Sequence, residues 1–327
     1  MNYPKISIVT PSFNQAEFIE ETILSVINQN YPNLEYIIID GGSTDGSVEI
    51  IKKYEKYLAY WLSEPDNGHG DALNKGFAKA TGEIMAWINS DDKYYPWTFQ
   101  TVAEIFNTLN DVNWIVGHYS FWNELGRLKG TAKYRVNIYD QIIIYHHYIQ
   151  QESTFWRRKL WIKTGSKINT DYKLLVDREL FARFLLIEKL WHVETVLSGF
   201  RSHENNRGKL FENQLYIECQ KIALWLKKEL TLNQKKNLDE INNYRMEKRA
   251  QSIIKCKIRK KIDNCFVLKL LPYFIYNKLL YFILFKYYRI YLPTDPLKLN
   301  NEELKYPVIY LENSIWKQRF EDYNFRI

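Results

Sequence analysis

Two stretches place carboxylates where chemistry is possible. In "YIIIDGGSTDGS" (residues 36–47), Asp40 ends an apolar run and opens a glycine-rich turn. In "WINSDDKYYP" (87–96), Asp91 and Asp92 follow another apolar run. Glycine turns behind strands usually cradle phosphate, which carboxylates repel. The first turn has no GxGxxG, and its Gly41-to-Gly46 spacing is followed by Ser47 where a phosphate-binding Lys would stand. Asp40 is better suited to accept hydrogen bonds from a nucleobase N–H or a ribose hydroxyl. Gly41 and Gly42 would let a flat base approach the backbone. The second stretch supplies the complement. Hard divalent cations such as Mn²⁺ or Mg²⁺ prefer oxygen ligands and keep positions open for substrate phosphates. A diphosphate would then be held through a metal bridge.

Such groups need a scaffold, and the first half of the chain supplies alternating strand and helix patterns. Strands are expected at Ile6–Val9, Tyr36–Ile39, Tyr60–Leu62, Ile84–Ile88 and Trp114–Val116. Helices are expected at Ala16–Asn28, Gly46–Tyr54 with Asp45 as N-cap, Asp71–Ala80 and Trp97–Leu109. The alternation implies βαβ units and a mostly parallel sheet. Ligands bind such sheets at the carboxyl ends of the strands. "PSFNQ", "DGGSTDGS", "EPDNGHGDALNKG" and "NSDD" all fall there. Residues 118–205 read as mixed, and Lys209–Asn242 as helical and polar.

With 46 % hydrophobic and 25 % charged residues, the 327-residue chain is globular in composition, which excludes the disordered and fibrous classes. Its three cysteines form no CxxC pair, so a reduced, cytoplasmic compartment is expected. The early strand pattern "KISIVT" argues against a signal peptide, and no apolar run reaches the length of a transmembrane helix.

The motifs "ISIVTPSFNQAEFIEETILSVINQNYPNLEYIIIDGGSTDGSVEII", "DNGHGDALNKGFAKATGEIMAWINSDDKYYP" and "ESTFWRRKLW…DYKLLVDRELFARF" together resemble family 2 glycosyltransferases of the GT-A fold, over roughly residues 4–205. The resemblance implies an α/β fold with a nucleotide-binding, mostly parallel sheet flanked by helices. It also implies a nucleotide-sugar donor, a UDP-sugar by family frequency, with a divalent metal and inversion at the anomeric carbon. By motif position, Pro11, Ser12 and Asn14 would line the nucleotide pocket with Asp40, Gly41 and Gly42. The loop from Asp66 through His69 to Asp71 would lie against the nucleotide. The Asp-x-Asp motif begins here with Asn89, followed by Ser90, so one carboxylate is missing. Asn89 could bond a ribose hydroxyl, and Asp91 and then Asp92 would hold the metal. Asp177 matches the family's catalytic base, with Glu179 as second choice. "FRSHENN" resembles a late loop in which Arg201 would meet phosphate and His203 the metal or phosphate.

Each reading has a plainer one beside it. Asp40 could only bond its own turn. Asp91 and Asp92 could cap a helix, and Asp177 could be a structural cap. His69 could be a turn residue. Trp156, Arg157 and Arg158 read as anchors rather than acceptor contacts. The sequence admits two rival functions. A sugar nucleotidyltransferase would want an Arg-bearing glycine loop, which "TPSFNQ" lacks. A catalytically silent GT-A-like binding protein has Asn89 as its hint.

The expected organisation is a catalytic domain over 1–205, with a nucleotide-binding part (1–117) and an acceptor part (118–205). A helical, basic, aromatic-rich extension would cover 206–327. From Lys248 to Leu292 eleven Lys or Arg stand against Asp263 alone, so the net charge of +7 belongs to this segment. Ala250, Ile253, Ile254, Ile258 and Ile262 share one helical face. After Pro272, Lys278, Lys286 and Arg289 fall within about an 80° sector opposite a face of Phe, Tyr, Leu and Ile. Such a segment suits the inner face of a membrane, and hence a glycan or lipid-linked acceptor in bacterial surface polysaccharide synthesis. No nucleic-acid motif accompanies it. Long-chain synthases of the family usually carry Gln-x-x-Arg-Trp, which is absent here, so transfer of single sugars is expected.

Overall fold

The computed structural model describes residues 3–143, 148–246 and 305–321. The first half follows the sequence pattern: β1 (Ile6–Ser12), α1 (Ile19–Ile27), β2 (Leu34–Asp40), α2 (Ser47–Lys53), β3 (Tyr60–Ser63), α3 (His69–Lys79), β4 (Ile84–Trp87), β5 (Lys93–Tyr94), α4 (Thr98–Thr108) and β6 (Trp114–Trp122). The mixed region resolves into β7 (Leu128–Ala132), α5 (Ile138–Ile143), β8 (Thr154–Arg157), α6 (Arg158–Lys163), α7 (Val176–Ile187), β9 (Trp191–Val196) and β10 (Ser198–Arg201). α8 (Arg207–Leu210) and α9 (Glu212–Glu229) follow, and β11 (Tyr306–Glu312) and β12 (Ile315–Glu321) close the described chain.

The sheet runs β12-β11-β9-β6-β8-β4-β1-β2-β3. β3, β2, β1 and β4 are mutually parallel, so the loops after them share one edge. β1 is buried throughout and β2 nearly so, because helices cover both faces. α3 lies very close to β1: a Cβ on Gly76 would fall 2.4 Å from Val9. β8 enters antiparallel between β4 and β6.

One aromatic cluster fixes α7. Trp87, at the end of β4, stacks on Phe181 at 5.8 Å and 23°, and Trp114 meets Phe184 edge-on at 5.2 Å. Trp156 joins both, fully buried, and Arg157 donates to the Val112 and Phe106 carbonyls. The anchoring reading of these residues is the one the geometry supports.

Two expectations change. Asp45 is not the N-cap of α2. Gly46 takes that place at φ 100°, while the Asp45 carboxylate accepts the Ser47 N–H at 3.0 Å. The C-terminal part is not wholly a helical extension beginning at 206. One compact unit spans Met1–Glu229 together with Tyr306–Glu321. α9 packs on α5 and α7, and β11 adds to the sheet beside β9 in parallel, with Val308 opposite His192. A short strand pair late in the chain gives no local sign that its partner lies so far upstream. The second unit comprises Leu230–Lys305 and Asp322–Ile327, in which residues 232–246 are helical. The basic segment 248–292 lies outside the described residues. Among the described residues no helix is long and apolar enough to cross a membrane.

Candidate active site

The loops after β1, β2 and β3 form one tightly bonded body. Asp40 is fully buried. Its Oδ2 accepts from the Gly42 N–H (3.1 Å), the Ser43 N–H (2.9 Å) and the Ser63 hydroxyl (2.7 Å), and its Oδ1 from the Ser43 hydroxyl (2.5 Å). Asn14, in left-handed backbone at φ 51°, accepts the Thr44 N–H at 3.0 Å and donates its own N–H to Ser43 at 2.7 Å. Gly42 needs its glycine: φ is 83° and a Cβ would fall 3.1 Å from the Pro65 nitrogen. Asp66 lies against Gly41, and its Oδ1 accepts the Gly68 N–H at 2.7 Å. Asp71 accepts the Asn67 N–H at 3.1 Å. Pro11 and Ser12 are buried in β1 itself, with the Ser12 hydroxyl unpartnered. These residues are together as expected. Asp40, however, organises its own turn.

The loop after β4 is held from the other side. Arg201, nearly buried, donates its backbone N–H to Asp92 Oδ1 (2.8 Å), Nε to the Asp91 carbonyl (2.7 Å) and Nη1 to the Glu124 carbonyl (2.9 Å). Its Nη2 pairs with Glu21, and the guanidinium lies 5.1 Å over Phe18. Each guanidinium nitrogen has a protein acceptor, so Arg201 clamps the loop. Thr22 donates to the carbonyls of Ser90 and Asp92. Asn89 accepts from His69 Nε2 at 3.1 Å and turns its amide toward Asp92 at 3.4 Å. Burial, with the Arg207 charge, pulls His69 down to about 4, so the neutral ring donates this bond. His69 and Asn89 thus bridge the third and fourth loops.

Asp91 and His203 do meet: Oδ2 and Nε2 are 3.0 Å apart. His203 is buried against Phe18, and its Nδ1 has no partner. Asp92 turns away into the Arg201 clamp. Burial and the charges of Asp91 and Glu152 raise its carboxyl well above the usual range. Among the described residues no three His, Cys, Asp or Glu side chains are grouped to hold a metal ion. The Asp91–His203 pair alone fits a cation whose other ligands come from a diphosphate.

Asp177 and Glu179 part company. Both lie in the first turn of α7, but two residues on a helix is about 200°. Glu179 goes to Arg183 with a closest approach of 2.9 Å, and Arg183 ties down the Thr164 and Lys167 carbonyls. The second-choice base is a structural ion pair. Asp177 shares a face with Phe181, one turn on, and so is aimed by the aromatic cluster. Its Oδ1 is sealed from solvent and unpartnered, and burial pushes the carboxyl up to about 6. A carboxylate in that range is tuned to take a proton near neutral pH.

One acid escaped the sequence reading. Glu152, 3 % exposed, has an unpartnered Oε1. Burial, with the charges of Asp91 and Asp177, raises it to about 8. The signal was a lone Glu before the apolar "TFW" of β8.

A family model described as glycosyl transferase family 2 matches residues 7–183. An uncharacterized glycosyltransferase of Mycobacterium tuberculosis is 29 % identical over 203 residues, 60 % of this chain and 75 % of its own length. A Bacillus subtilis protein, TuaG, named as a putative teichuronic acid biosynthesis glycosyltransferase, is 40 % identical over 28 % of this chain and 37 % of its own. Among solved structures, S. aureus TarS in complex with UDP-GlcNAc aligns with TM-score 0.51 at 20 % identity, over 62 % of this chain and 60 % of that one. The mannosyltransferase PcManGT from Pyrobaculum calidifontis, in complex with GDP-Man and Mn²⁺, aligns with TM-score 0.51 at 17 % identity, over 75 % and 81 %. At these identities the two structures speak to the fold alone.

Proposed function

This chain belongs to glycosyl transferase family 2, and on that premise we propose that it transfers one sugar, with inversion, from a nucleoside-diphosphate donor to a hydroxyl acceptor. The observation that carries this reading is Asp177: a carboxylate in the first turn of α7, aimed by the aromatic core, with one oxygen enclosed and without a partner. Asp177 takes the proton from the acceptor hydroxyl as its oxygen attacks the anomeric carbon. The bond from that carbon to the diphosphate breaks on the opposite face, and the nucleoside diphosphate leaves.

Asp91 and His203 would hold Mn²⁺ or Mg²⁺ together with the donor. When bound, that cation offsets charge building on the leaving diphosphate. Arg201, which clamps the Asp91 loop, would be the cationic side chain nearest that end. The loops around Asp40 and Asp66 shape the nucleotide pocket, with UDP favoured by family frequency. The likeness to TuaG supports an acceptor in surface polysaccharide assembly. The basic pattern of 248–292 supports a lipid-linked acceptor at the inner face of the cell membrane. Co-sedimentation with anionic liposomes tests that last point, and equal pelleting without 248–292 would sink it.

The central test is thermal stability with UDP, GDP, dTDP or CMP, each with and without Mn²⁺. A ligand at a hundredfold excess over its dissociation constant adds about 2.7 kcal/mol. We expect one nucleotide to stabilise the protein in an Mn²⁺-dependent way, and Asp91→Ala to abolish the shift. No shift with any of them would overturn the reading.

A further inference from the structure

The turn before β8 is fastened at every residue but carries one acid with an oxygen left over. Gln150 exchanges two hydrogen bonds with the Ser120 backbone, at 3.1 and 2.8 Å. Gln151 donates to the Trp87 carbonyl at 2.6 Å, where β4 ends. Ser153 bonds Ser198 at 2.9 Å. Between them, Glu152 leaves Oε1 buried and unpartnered, and Gln151 leaves its Oε1 likewise. Both side chains belong to residues more than nine-tenths buried. The rest of the Glu152 carboxyl group is bonded by the Gln150 side chain and by backbone, but a buried acid with one oxygen unpaired still costs free energy. The charges that Glu152 feels, those of Asp91 and Asp177, make its place worse. A ligand carrying O–H donors would relieve it.

The in-line reaction says which ligand. The leaving diphosphate lies toward Asp91 and the attacking hydroxyl toward Asp177. The sugar in flight must lie between, and the turn holding Glu152 is bonded to Trp87, which leads into the Asp91 loop and stacks on Phe181, one turn along α7 from Asp177. We propose that Glu152, with the Gln151 carbonyl oxygen beside it, accepts hydroxyl hydrogen bonds from the transferred sugar and thereby selects the donor by its ring hydroxyls. This rests on the glycosyl-transfer reading above. A site built to bond a hydroxyl rejects analogues that lack it far more strongly than an apolar pocket does.

The test compares two dissociation constants by titration calorimetry with Mn²⁺. One is for the intact donor, taken from UDP-glucose, UDP-N-acetylglucosamine and GDP-mannose as the wild type binds it. The other is for the matching UDP or GDP. Glu152→Leu should weaken the intact donor about tenfold or more relative to the bare diphosphate. Glu152→Gln, which keeps a carbonyl acceptor, should stay within about threefold of wild type. Melting temperatures establish that both variants fold. An unchanged ratio in Glu152→Leu overturns the proposal while leaving the glycosyl-transfer reading intact. Equal losses for donor and bare diphosphate also overturn it, by making Glu152 structural. If the wild type binds none of these nucleotides, the glycosyl-transfer reading falls and this proposal falls with it.

Discussion

The two halves of the site treat their carboxylates in opposite ways. On the side of β1–β3, Asp40 accepts four hydrogen bonds from its own surroundings, and Asp66 and Asp71 each take a backbone N–H. On the side of β8 and α7, Asp177 and Glu152 each hold a buried oxygen with no partner. Neither arrangement follows from burial, since Asp40 is as enclosed as Glu152. The first half is finished by the protein and fixes a shape. The second half, on the proposed reading, is left for a substrate to finish. A saturated carboxylate therefore reports on stability, and an unsaturated one on chemistry.

Substitutions should separate the halves, and the largest effect is expected at Asp177. Asp177→Asn should lower turnover about 10²- to 10⁴-fold. It should leave the melting temperature at neutral pH unchanged or higher. The sign follows from a folded pKa raised to about 6, above the usual carboxylate value. The native state holds this proton more tightly, so the group's contribution to stability falls as pH rises toward 6. Removing the charge removes that penalty. In the wild type, kcat/KM should drop as pH falls through about 6. A limb that persists in a residually active Asp177→Asn would assign it to another group.

Next is Asp40→Ala. Stripping the acceptor from the Gly42 and Ser43 N–H groups should cost roughly 2–4 kcal/mol by urea denaturation. Lost nucleotide affinity at undiminished stability would break the comparison and return Asp40 to direct base contact. Smallest is Glu179→Gln, which loosens a partly exposed ion pair with Arg183. Roughly 1–2 kcal/mol of stability and little turnover should go. Inactivity with an unchanged melting curve would exchange its role with that of Asp177.

The strands that carry the first half were legible because β1, β2 and β4 are long apolar runs broken by polar loops. Asp177 was legible through its motif, and its separation from Glu179 could have been read from helical spacing. Asp40's four bonds depend on where Ser43 and Ser63 come to lie, which no local pattern encodes. Arg201 looked like a phosphate ligand because its type is right; its acceptors, Asp91, Glu21 and Glu124, are far away in sequence. Glu152 opens the motif "ESTFWRRKLW" but its position there suggested no role, and only its enclosure marks it.

The parallel seam between β9 and β11 sets an order of events at the ribosome. β9 pairs with β6 on one side from the moment the first domain collapses, but its other edge waits for Val308 and Ile309. These are made roughly a hundred residues later. At about 5–20 residues per second the edge stays open for on the order of ten seconds. During that time an otherwise folded sheet shows unpaired N–H and C=O groups, the template on which strands from other chains add. The nascent sheet is thus exposed to misassembly until β11 and β12 close that edge.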